Sequence, residues 1–167
     1  MPITTLEEFI ETIDIGLEYF IVFNTKLLDN SEKEKFNSLI DDIISVDIGE
    51  ALIKALTAFN KIITVTHNTP KNGASQGYAS GNNRVDMGDM LSNPDYDING
   101  VLLGLSHELF HAFQDFSGIS SSSGASREPD AYIFGASFAR AYGMDAVYYN
   151  NIVQPIPTTP AQINFST

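Results

Sequence analysis

From about Thr5 to Leu28, apolar residues recur at helical spacing: Leu6, Phe9, Ile10, Ile13, Leu17, Phe20 and Ile21. Thr5 and Glu8 have the form of a capping box, and a first helix is expected here. A second is expected to begin near Ser31, with Glu34 three residues on and Phe36, Leu39, Ile40, Ile43 and Ile44 facing inward. A third covers roughly Gly49 to Asn60 through Leu52, Ile53, Leu56 and Phe59. Aliphatic stripes of this kind build a core, so these helices read as scaffold.

The period then changes. Ile62-Ile63-Thr64-Val65-Thr66 is a β-branched run and predicts a strand. Asn72-Gly73 marks a turn, and short extended pieces are expected at Gln76-Gly77-Tyr78-Ala79 and Asn83-Arg84-Val85-Asp86-Met87, together forming a small antiparallel or mixed sheet. After the Asn93-Pro94-Asp95 loop, a strong helix is predicted from about Asn99 to Phe116, with Leu102, Leu105, Leu109, Ala112 and Phe116 as its apolar stripe. Gly118 to Ser126 is a Ser/Gly connector. A last helix is expected from Glu128 or Pro129 to Tyr142, stopping at Gly143. Pro155, Pro157 and Pro160 then predict an extended tail over 151–167, behind a single α+β domain over 1–150.

Composition narrows the chemistry. The chain of 167 residues has no cysteine, so any metal must be held by His, Asp or Glu. A formal charge of -12 argues against general binding to nucleic acid or anionic membranes and otherwise speaks to solubility. No apolar run is long enough to span a bilayer, and the N-terminus lacks a basic segment followed by an apolar stretch. If the protein is exported, a route without a standard signal peptide is expected.

The residues that carry chemistry are His107-Glu108-Leu109-Phe110-His111. On a helix, side chains four apart sit one above the other, so both imidazoles face one point. They can fill two corners of a zinc tetrahedron and leave room for water. Glu108, one residue round the helix, is then the expected general base, taking a proton from water and passing it to the departing amine. Gly104 and Gly100 lie one and two turns earlier, which fits either clearance for a substrate or close packing.

A third ligand must come from elsewhere. Glu128 opens the next helix 17 residues after His111, and a loop with an antiparallel helix would bring it back. Its alternative role is to favour the helix N-terminus electrostatically. Asp130 is the rival ligand, while Asp115, one turn beyond His111, could bind the metal or orient an imidazole. His67 reads as a surface or packing histidine. Tyr132, Tyr142, Tyr148 and Tyr149 include candidate donors to a developing oxyanion, and Arg84-Val85-Asp86 is a candidate edge strand for an extended peptide.

His107-Glu108-Leu109-Phe110-His111-Ala112-Phe113-Gln114, followed by Glu128-Pro129-Asp130-Ala131-Tyr132, resembles the gluzincins, zinc peptidases whose Glu ligand lies on the helix after the motif. Within them it looks most like the peptidases of bacterial secreted effectors and polymorphic toxins. The resemblance spans roughly Asn99 to Gly143. It implies a zincin-like fold, one zinc per chain held by His107, His111 and Glu128, Glu108 as catalytic base, and a protein or peptide substrate. Pro129 directly after the ligand is a departure, and a third motif histidine is absent, which leaves the Glu or Asp choice open. A zincin-like binding module without catalysis and a zinc hydrolase of a non-peptide amide are the alternative functions. The sequence gives no oligomeric state.

Overall fold

The computed structural model describes residues 22–71, 73–119 and 127–145. Most of the first predicted helix, the centre of the Ser/Gly connector, Tyr148, Tyr149 and the tail lie outside them. The described elements are four strands and four helices in the order β1 (Phe23–Asn24), α1 (Asn30–Ile44), α2 (Asp47–Ala58), β2 (Ile63–Thr66), β3 (Gly77–Ala79), β4 (Arg84–Asp86), α3 (Ile98–Phe116) and α4 (Arg127–Tyr142). The class is α+β, with a mixed sheet ordered β1-β2-β4-β3. β1, β2 and β4 run parallel, and β3 pairs antiparallel with β4 in the register Gly77↔Asp86, Tyr78↔Val85, Ala79↔Arg84.

Two expectations about the first third of the chain are corrected. The predicted helix does not reach Leu28, because Phe23 and Asn24 form β1 beside Ile63 and Thr64. Residues 19–23 are a continuous apolar run, and such a run suits a buried parallel strand as well as a helix. Phe23 is fixed inside by an edge-to-face contact with Phe36, ring centroids 5.2 Å apart. The capping box of α1 is also displaced by two residues. Asp29 accepts from the Glu32 N–H at 2.8 Å and Glu32 accepts from the Asp29 N–H at 3.0 Å, rather than Ser31 pairing with Glu34.

The later helices start and stop where local chemistry directs. α2 ends before Asn60, which takes a left-handed conformation (φ 53°). α3 is capped by Asp97, whose carboxylate accepts from the Asn99 N–H. α4 carries Pro129 in its first turn, where a missing N–H is harmless. It closes at Gly143 (φ 91°), with the Met144 N–H returning to the Ala139 carbonyl.

One apolar core joins the sheet to the helices. Phe36, Leu39, Ile40 and Ile43 of α1, Ile53 and Leu56 of α2, Leu102, Leu105, Leu109 and Ala112 of α3, and Phe138 of α4 are buried with Ile63, Val65 and Val85. Each such aliphatic or aromatic side chain contributes roughly 1.5–3 kcal/mol on burial. α3 lies centrally, packed on α1, α2, α4 and β3, so its motif stands on a rigid element. Among the described residues no helix is long and apolar enough to cross a membrane.

The expected edge strand is corrected as well. Arg84-Val85-Asp86 is β4, an interior strand between β2 and β3. Its Val85 is fully buried, and Asp86 is held by the Arg84 guanidinium and the Thr66 hydroxyl. Among the described residues the sheet edge beside α3 belongs to β3 instead.

Candidate metal centre

Helical spacing sets His107 and His111 one turn apart on α3, and their Nε2 atoms approach to 3.0 Å. α4 runs back along α3, and its first turn delivers Glu128. The two carboxylate oxygens lie 3.3 Å from His107 Nε2 and 3.2 Å from His111 Nε2. One ligand atom from each of the three residues falls within a span of 4.8 Å. Among the described residues this is the group of His, Asp and Glu side chains that could hold a metal ion, and neither Asp130 nor Asp115 belongs to it. His67 is elsewhere, largely exposed, with Nδ1 3.4 Å from Glu32.

The donor set fits zinc. The Gln114 side-chain amide donates to the Arg127 carbonyl at 3.0 Å, so its oxygen is left to face His111 Nδ1 at 2.8 Å. An amide oxygen only accepts, so His111 donates from Nδ1 and presents Nε2 toward Glu128. Burial followed by repulsion from His111 holds the pKa of His107 below the usual histidine value. Two imidazoles and a carboxylate are the ligand chemistry that zinc accepts.

Glu108 stands beside this group without joining it. Its Oε2 accepts from the Tyr78 backbone N–H of β3 at 2.8 Å. Burial pushes its pKa up to about 7, with Glu128 adding to the rise and the Tyr78 N–H opposing it. Both histidines, Glu108, Glu128 and Tyr132 line a cavity of about 520 Å³, together with Gly77, Tyr78 and Arg84 from the sheet. The carboxylate thus faces a space large enough for a substrate segment.

Of the candidate tyrosines, Tyr132 reaches this cavity, its ring 4.9 Å from that of His107. Tyr142 stacks on Phe138 at 5.8 Å and does not line the cavity. Asp115 neither joins the histidines nor orients an imidazole. Its carboxylate accepts from the Tyr78 hydroxyl at 2.8 Å and the Ser80 hydroxyl at 2.9 Å.

Gln114 does the orienting that Asp115 was a candidate for. Its signal lay in its spacing, three residues after His111 on a helix. Gly104 has a packing explanation: a Cβ there would overlap the carboxamide of Gln76, which is buried and donates to the Val101 carbonyl at 3.0 Å. No family model matches the chain, and neither curated proteins nor solved structures give a match.

Proposed function

We propose that the chain is a zinc-dependent peptidase of zincin type, acting on a protein or peptide substrate. The observation that carries the reading is the convergence of His107, His111 and Glu128 beside the buried carboxylate of Glu108, all facing one cavity. The edge strand β3 next to the motif helix supports the zincin-like reading of the α+β fold. His107, His111 and Glu128 would hold the zinc. When bound, zinc supplies a Lewis acid that makes water more acidic and polarises a carbonyl.

The protein's own residues do the rest. Glu108 takes the proton from water as the water oxygen bonds to the substrate carbonyl carbon. It then delivers that proton to the amide nitrogen as the C–N bond breaks, so that a carboxylic acid and an amine leave. A carboxyl whose pKa is raised by burial suits both halves of this transfer. Tyr132 is the side chain that would donate a hydrogen bond to the developing oxyanion.

Protein purified without chelator and offered zinc is expected to hold about one ion per chain and to cleave fluorescein-labelled casein. Glu108→Gln is expected to keep the zinc and lose turnover by about a hundredfold or more. His107→Ala is expected to lose both metal and activity. A protein that takes up no zinc, or a Glu108→Gln variant as active as the parent, would overturn the reading.

A further inference from the structure

Glu108 and Asp115 are seven residues apart on α3, two turns along one face, and both reach the same strand. Glu108 accepts the backbone N–H of Tyr78, and Asp115 accepts that residue's hydroxyl and the Ser80 hydroxyl. β3 has only three residues and pairs with β4 on one side alone, so pairing within the sheet holds it weakly. The loop before β3 is anchored to α3 by Gln76 on the Val101 carbonyl, and the turn after it is anchored by Asp115. Tyr78 sits between these two anchors.

We propose that Asp115 is a positioning residue that clamps β3 onto α3 and so keeps the Tyr78 N–H on the carboxylate of Glu108. The proposal rests on reading Glu108 as the general base. A carboxylate on a buried helix face has rotamers pointing away from the cavity, and a fixed N–H selects one of them. If β3 drifts from α3, Glu108 loses that donor, and a displacement of about 1 Å in a reacting group can cost up to a hundredfold in rate. The same geometry explains why a tyrosine serves at position 78: its backbone holds the base while its side chain reaches the clamp.

The test compares the parent with Asp115→Asn, Tyr78→Phe and Ser80→Ala, the last removing one bond of the clamp and the least disruptive. Amide hydrogen exchange is followed at Tyr78 and, as a reference, at Thr64 and Met87, whose amides donate to Asn83 and Thr66 across β2 and β4. Asp115→Asn and Tyr78→Phe are expected to speed Tyr78 exchange about tenfold with the reference amides unchanged. They should also lower kcat on casein by about tenfold at similar KM, with zinc affinity kept within about twofold. Ser80→Ala should give a smaller change in the same direction. Unchanged Tyr78 exchange in all three variants overturns the clamp. So does faster exchange at all three amides together, which would mark general destabilisation. Should the parent hold no zinc and cleave nothing, the function assigned to Glu108 fails, while Tyr78 exchange still decides whether Asp115 fixes β3.

Discussion

His111 illustrates how a proposed ligand residue depends on a neighbour with no charge. Its Nε2 is turned toward Glu128 because Nδ1 donates to Gln114, and Gln114 is oriented because its own amide donates to Arg127 at the start of α4. The chain of bonds therefore runs from α4 through Gln114 to the imidazole. Gln114→Ala should lower zinc affinity by roughly 10- to 100-fold, read by competition with a chromogenic chelator. On the same assay Glu128→Ala should fall much further than Asp130→Ala, since only Glu128 lies within about 3.3 Å of both imidazoles. A larger loss for Asp130→Ala would mean that the first turn of α4 rearranges around the ion.

At the level of elements, what the sequence made legible follows the range of the interactions. His107, Glu108 and His111 are set by one turn of helix, and the bounds of α3 and α4 by caps and a terminal glycine, so local spacing sufficed. β1 was hidden because a short apolar run suits a buried strand and a helix equally. The contacts that position the site were hidden for a different reason. Tyr78 to Glu108, Tyr78 to Asp115 and Gln76 to Val101 join residues 25 to 37 positions apart, and no local pattern encodes them. The interior place of β4 was likewise a property of strand order. One such long-range fit is open to a stability measurement. Gly49, in the first turn of α2, lies against the backbone carbonyl of Ile43 at the end of α1, and a Cβ there would overlap it. Alanine gains about 1 kcal/mol of helix propensity over glycine, but a backbone carbonyl cannot yield as a side-chain tip does. Gly49→Ala should therefore be a net destabilisation of about 1–3 kcal/mol in urea unfolding, with m unchanged. A stabilised variant would show that α1 and α2 can move apart freely.

For the whole molecule, the proposed metal group draws its residues from two helices packed on each other. His107 and His111 belong to α3 and Glu128 to α4, and the chain between the helices is the Ser/Gly connector. Without an ion, the contacts of the Glu128 carboxylate are with two imidazoles, one of which is held below its usual pKa by burial and by its neighbour. The lowered pKa of His107 weakens its charge pairing with Glu128, whose side chain is half exposed, so the pairing contributes little. A zinc ion would supply positive charge at this point and tie Glu128 of α4 to the two histidines of α3. Because the unfolded chain has no preformed site, free energy of binding becomes free energy of folding. Free zinc at about a thousand times its dissociation constant adds roughly 4 kcal/mol. For a chain of this length that is a rise of about 10 °C in Tm. Calorimetry should show that rise with zinc, its loss on adding a chelator, and no comparable rise with magnesium, which prefers oxygen ligands. His107→Ala should abolish the response while leaving the metal-free Tm close to that of the parent, because its ring packs at the cavity and not in the apolar core. An equal rise with zinc in His107→Ala would locate the binding elsewhere on this acidic surface and detach the stability of the α3–α4 pair from the site.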